Sequence, residues 1–212
     1  MIRALGILLI CAAAPVTAQD WSGQWTGVSL GYGSGTYQQG VSALNELGAE
    51  VDVKGAMFGL SYAWNRQSGP TVYGFDAALI SGIDGITAQG TLGPQWNCAS
   101  GDCNVSIDTL LTLRGRFGWL ASPEMLVYAA GGMAAGRVTG GILDSTQQGE
   151  STAIGYTLGV GIEQMIADGV TMFGEANYVD LGTLTFGTND LTEDYDGIGD
   201  FSTVKLGLNF KF

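Results

Sequence analysis

The last ten residues alternate without interruption: Val204, Leu206, Leu208, Phe210 and Phe212 share one parity, and Thr203, Lys205, Gly207, Asn209 and Lys211 share the other. A repeat of two sends successive side chains to opposite faces of a strand, whereas a helix needs apolar residues at a spacing near 3.6. An earlier segment repeats the pattern. Thr109, Leu111, Leu113, Gly115, Phe117 and Trp119 form one face, and Asp108, Leu110, Thr112, Arg114, Arg116 and Gly118 the other. A third places Ala56, Phe58, Leu60, Tyr62 and Trp64 opposite Gly55, Met57, Gly59, Ser61 and Ala63. Further strands are expected near 24–33, 71–80, 125–138, 153–165 and 170–180, so the pattern predicts eight. Each is about the nine to eleven residues that a tilted strand needs to cross a bilayer.

Connection lengths alternate as well. Short links at 66–70, 121–124 and 166–169 carry turn residues such as Ser68-Gly69-Pro70 and Asp168-Gly169. Between them fall longer polar stretches at 34–53, 81–104, 139–152 and 181–200. Short turns on one side and long loops on the other are the asymmetry of outer-membrane barrels. Trp25, Tyr32, Tyr62, Trp64, Tyr73, Trp119, Tyr128 and Phe212 lie near strand ends and are expected in the two interfacial aromatic girdles. The competing architecture, a soluble β-sandwich, would bury those aromatics in a core.

Residues 1–18 read as a removable export signal. Arg3 precedes the apolar run from Leu5 to Ala14, and Val16-Thr17-Ala18 supplies small residues for cleavage. Ile10 is too bulky to precede a lipid-attached Cys11. Residues 19–212 then form a single domain. Losing Arg3 leaves seven basic side chains against 20 acidic ones, a formal charge of −13. That balance argues against nucleic acid, whose phosphates require a basic footprint. Mean hydropathy is +0.21 with 35 glycines, yet no later stretch reaches 18 apolar residues. A membrane chain without spanning helices has one remaining architecture, a closed barrel. The expectation is an all-β, eight-stranded, up-and-down antiparallel transmembrane barrel.

The segment Arg114-Gly115-Arg116-Phe117-Gly118-Trp119, followed by Tyr128-Ala129-Ala130-Gly131-Gly132-Met133-Ala134 and Gly136-Arg137-Val138, resembles the opacity-like, OmpA-like family of small outer-membrane β-barrels of alphaproteobacterial type. Gly159-Val160-Gly161-Ile162-Glu163 and Glu175-Ala176-Asn177-Tyr178-Val179-Asp180-Leu181-Gly182 are similar to its later strands. The resemblance implies a Gram-negative outer-membrane location among lipid and lipopolysaccharide. It also implies that Phe210 and Phe212 form the C-terminal signal read by the barrel-assembly machinery. Members differ in their loops, so activity is not implied. A host or envelope partner would meet the loops. The Cys98/Cys103 pair in the second long stretch departs from the usual pattern. In an oxidising compartment it is expected to be a loop disulfide, a metal pair being disfavoured for want of further ligands.

Asp76, Arg114, Arg116, Arg137, Glu163, Glu175, Lys205 and Lys211 are assigned to the inward parity. Lys or Arg facing lipid at midplane costs about 2–4 kcal/mol, so inward placement is the physical expectation. An eight-stranded barrel has an interior just wide enough for side chains to fill. The same residues serve either a salt-bridged plug or a narrow porin-like path for small solutes or ions, and inward Gly27, Gly31, Gly55, Gly59, Gly159 and Gly161 leave room for the second. Asp190, Glu193, Asp194, Asp196 and Asp200 form an acidic loop with only a fragment of a calcium motif. No cofactor or catalytic residue is expected, because the chain has no histidine to serve as base. A soluble barrel for an apolar ligand would need polar outward positions. The expected role is a structural, surface-displayed protein, in which Leu208→Arg blocks assembly and Asn209→Ala is tolerated.

Overall fold

The computed structural model describes residues 19–41, 46–86, 103–142, 148–186 and 195–212. Its elements are β1 (Gly23–Val41), β2 (Glu46–Ser68), β3 (Thr71–Ile86), β4 (Cys103–Ser122), β5 (Met125–Ile142), β6 (Gln148–Ala167), β7 (Val170–Phe186) and β8 (Tyr195–Lys211). Each strand is antiparallel to its neighbours in sequence, and β8 returns to β1 to close the barrel. Closure pairs the strand edges along the seam and so removes the exposed edges that lipid cannot solvate. The leader, Cys98, Asp190, Glu193 and Asp194 fall outside the described residues, so the disulfide expected between Cys98 and Cys103, the first residue of β4, lies outside them too.

Three two-residue turns define one rim: Gly69-Pro70, Pro123-Glu124 and Asp168-Gly169. Gly69 (φ 60°) and Gly169 (φ 69°) adopt the left-handed backbone that such tight hairpins favour. Short turns place this rim in the periplasm.

The alternation sorts the walls as the sequence indicates. Ala56, Phe58, Leu60, Tyr62 and Trp64 face out and Met57, Gly59 and Ala63 face in. Leu30 is 69% exposed and Ile154 67%, a surface suited to hydrocarbon rather than water. The outward apolar band runs from Ala56 to Trp64 on β2 and from Leu111 to Trp119 on β4, the length that one crossing needs.

The strands themselves run to between 16 and 23 residues, well beyond the expected bounds. Much of 34–53, 139–152 and 181–200 is therefore strand continuing past the lipid on the side away from the tight turns. Alternation fades there because outward positions no longer meet hydrocarbon: Asp52, Lys54, Glu150 and Thr152 are all exposed.

Several facing assignments change. Trp25 and Tyr128 are buried inward rather than in a girdle, while Tyr156 and Tyr178 pack with ring centroids 6.2 Å apart on the β6–β7 wall. Asp108 is exposed because the β4–β5 register jumps from Ile107↔Val138 to Thr109↔Arg137. This bulge resets the parity of β4. The Asp108 carboxylate accepts hydrogen bonds from Ser106 Oγ and Thr139 Oγ1, both at 2.8 Å.

The lumen is filled in three tiers. Towards the periplasm lie Trp21, Trp25, Val72, Leu126 and Met165. At the opposite end Met57, Ile80, Ile107, Leu110, Val138, Leu181 and Phe201 form a second apolar layer. Buried charged and amide side chains occupy the level between them.

Candidate functional site

The middle tier is set by register. Asp76 on β3 stands directly opposite Arg114 on β4, and Glu175 on β7 opposite Lys205 on β8. Cross-strand neighbours on one face lie within easy side-chain reach, so each hairpin brings a ready-made ion pair. Arg114 Nε donates to Asp76 Oδ1 at 2.8 Å, and Lys205 Nζ lies 2.7 Å from Glu175 Oε1.

Barrel closure then joins the two pairs. The Arg114 guanidinium crosses the lumen to hold Glu175 with two parallel bonds, Nη1 to Oε1 and Nη2 to Oε2, each 3.0 Å. Its Nη1 also donates to Asn177 Oδ1 at 2.6 Å. Tyr128 completes the shell of Glu175, its hydroxyl donating to Oε2 at 2.9 Å. Four bonds saturate a carboxylate.

A second cluster sits beside the first. Arg116 Nη2 donates to Glu163 Oε2 at 2.7 Å. Glu163 Oε1 accepts from Thr171 Oγ1 and from Asn209 Nδ2. The Arg116 guanidinium lies 4.1 Å from the centre of the Tyr128 ring, a cation–π contact linking both clusters. Three cations face three carboxylates, so the belt is neutral. Buried ions persist only with such pairing.

Six of the eight residues expected in the lumen network meet here. Arg137 does not. It lies on the outer face of β5 beyond the apolar band, where its Nε and Glu150 Oε1 form an exposed pair at 2.5 Å. Facing outward costs it little there because water, not lipid, surrounds it. Lys211 faces in but sits at the periplasmic mouth, its Nζ donating to the Asp20 carbonyl at 2.7 Å and lying 3.6 Å from Asp20 Oδ2. The Ser22 backbone N–H, then the Ser22 hydroxyl and Lys211, hold the Asp20 carboxyl below its ordinary range.

Tyr128, Asn177, Thr171 and Asn209 are belt members that a search for charges misses. Their signal was available in the inward parity of each. Trp21 was missed too. It is wholly buried at the mouth, its backbone N–H donating to Gln67 Oε1 and its indole to the Pro123 carbonyl.

The inward glycines offer less room than expected. A Cβ on Gly159 would lie 2.2 Å from Asn177 Oδ1, and one on Gly161 2.4 Å from Tyr128 Cζ. Neighbouring side chains already occupy those positions. The belt encloses a cavity of about 30 Å³ lined by Ser29, Ser61, Asp76, Arg114, Lys205 and Asn209 among others, room for a water or two.

Residues 4–212 match the family described as "Outer membrane protein beta-barrel domain". The chain belongs to this family. Its place is the outer membrane. The outer membrane protein beta-barrel domain here is 27% identical over 217 residues to a 31 kDa outer-membrane immunogenic protein of Brucella melitensis, covering 94% of this chain and 87% of that protein. It is 30% identical over 199 residues to a 22 kDa outer membrane protein of Rhizobium leguminosarum, covering 90% and 80%. Among solved structures it is similar to Neisserial surface protein A, with a TM-score of 0.54 and 12% identity over 90% of this chain and 98% of the other. At that identity the likeness is one of fold.

Proposed function

We propose that the protein is a non-conducting, non-enzymatic outer-membrane anchor that presents a rigid barrel extension at the cell surface. The observation that carries this reading is the three-tier lumen. A neutral, hydrogen-bonded charge belt lies between two apolar layers, and the cavity within it holds only about 30 Å³. An ion entering from either side would have to cross an apolar layer before reaching the belt, even past Lys211 and Asp20 at the periplasmic mouth. The absence of histidine in the sequence and the outer-membrane and immunogenic names of the relatives support a role without catalysis. Lipid and lipopolysaccharide surround the apolar band in this reading. Phe210 and Phe212, both outward at the periplasmic end of β8, serve as the signal to the assembly machinery.

The deciding experiment is conductance of the refolded protein in a planar lipid bilayer, after a heat-dependent gel shift has established folding. The expected result is silence. Reproducible stepwise currents would overturn the reading and favour a narrow channel through the polar cavity, whose lining of Asp76, Arg114, Lys205 and Asn209 is the observation on that side.

A further inference from the structure

The residues before β1 do not continue its line along the wall. Ser22 donates its backbone N–H to Asp20 Oδ1 at 2.9 Å, a local turn of the kind aspartate favours. Gly23 follows with φ 122°, and a Cβ there would lie 3.0 Å from Lys211 Cε. Turn and glycine together bend the segment 19–22 under the periplasmic mouth, where Trp21 is wholly buried against the lower apolar layer.

This segment ties together parts of the rim that are remote in sequence. The Trp21 N–H reaches Gln67 Oε1, 46 residues away, and the Gln67 N–H donates in return to Ser22 Oγ at 3.0 Å. The Trp21 indole reaches the Pro123 carbonyl at 3.2 Å, 102 residues away. The Asp20 carbonyl accepts from Lys211 Nζ, 191 residues away. In the closed order β5 is four strands from β1 by either route, so the contact at Pro123 crosses the mouth. Trp25 supports the crossing from within the lumen, donating its indole to the Trp21 carbonyl at 3.3 Å with the two ring centroids 6.3 Å apart.

We propose that residues 19–22 are a locking strap, which docks after β8 has closed on β1 and then holds the closed barrel against reopening. The order follows from what each contact needs. Gln67 belongs to the first hairpin and is near from the start, but Pro123 and Lys211 come within reach only when the sheet has curled and its ends have met. Closing loops of 102 and 191 residues for single hydrogen bonds costs more entropy than each bond returns, unless the wall has already brought the ends together. Contacts absent from the transition state for folding slow unfolding and leave the folding rate unchanged. The strap therefore sets the lifetime of the closed barrel rather than the rate of reaching it.

The test measures refolding and unfolding rates in urea and lipid vesicles, read by gel mobility, for Trp21→Ala and for the milder Lys211→Met. Trp21→Ala is expected to speed unfolding about a hundredfold and Lys211→Met about fivefold, each with refolding within about twofold of the parent. Amide exchange in the folded protein shows whether the strap moves as one piece. Lys211 is not among the hydrogen-bond partners of Gln67, yet Lys211→Met should speed exchange at Gln67 and Trp21 together, by about fivefold, and leave Leu30 in the apolar band unchanged. Refolding slowed as much as unfolding is quickened, unfolding of both variants within about twofold of the parent, or faster exchange at Trp21 without Gln67 would each overturn the proposal. These readouts do not depend on whether the lumen conducts, so the strap and the non-conducting anchor stand or fall separately.

Discussion

Glu175 is the hub of the lumen, and Glu175→Gln tests the charge belt most directly. The substitution keeps size and shape but leaves three buried cations facing two carboxylates. Arg114 retains Asp76 at 2.8 Å, so it stays paired. Lys205 loses its only ion-pair partner in the belt, and one edge of the new amide presents donors to the hydroxyl of Tyr128 and the guanidinium of Arg114. Leaving one buried charge uncompensated typically costs 3–5 kcal/mol. The adjoining cavity of about 30 Å³ admits water to the freed ammonium, which sets the expectation near the lower end, about 3 kcal/mol. Adding Lys205→Met restores equal charge, two against two, and should recover about 2 kcal/mol of that loss. The assay is reversible urea unfolding in lipid vesicles, followed by tryptophan fluorescence and gel mobility in parallel. Two results would refute the reasoning: a single variant within about 0.5 kcal/mol of the parent, or a double variant no more stable than the single.

Other expectations follow from facing and partners. Leu206, 66% exposed to lipid, should not accept arginine: Leu206→Arg is expected to cost about 2–4 kcal/mol and reduce the folded fraction recovered in the same assay. Leu208 shares its outward parity but is half-buried, so Leu206 is the cleaner site for that test. Asn209→Ala, neutral on the sequence reading, should instead cost about 1.5–3 kcal/mol, because Asn209 donates to the buried Glu163 carboxylate at 2.7 Å. Trp21→Ala should lower stability by about 3 kcal/mol through loss of a buried indole and should admit small thiol reagents to a cysteine placed at Ala63. Asp20 has a depressed folded pKa, so its contribution to holding this segment is present above 3.8, its ordinary value, and is lost as pH falls through the folded value. Amide exchange at Trp21 and Ser22, corrected for intrinsic rates, should therefore rise below pH 3.8 and be flat above it.

The sequence alone determined the strand count, the facing of most wall positions and the membrane location. These depend on a repeat of two and on the solvent each face meets, both of which are local properties. Even some errors were locally legible. Val28, Leu30 and Tyr32 fix an outward parity in β1 that places Trp25 inward. Tyr128 stands opposite Gly161 in the β5–β6 register, the cross-strand space a large inward ring requires. In both cases the preference of aromatics for the membrane interface outweighed the parity, and parity was the better guide.

Tertiary structure decided what local pattern cannot encode. Asp76 with Arg114 is a hairpin pair and follows from neighbouring strands. Arg114 with Glu175 joins β4 to β7 across the lumen, a contact fixed only when the eighth strand closes on the first and sets the relative height of opposite walls. Arg137 was assigned inward on the cost of charge in lipid, but that cost ends where the bilayer does, and strand length beyond it leaves little trace in hydropathy. The register of β7 against β8 shifts between Asp180 and Thr183, where Gly182 takes positive φ. A glycine in a sequence permits positive φ, and only the packed chain determines which glycine adopts it.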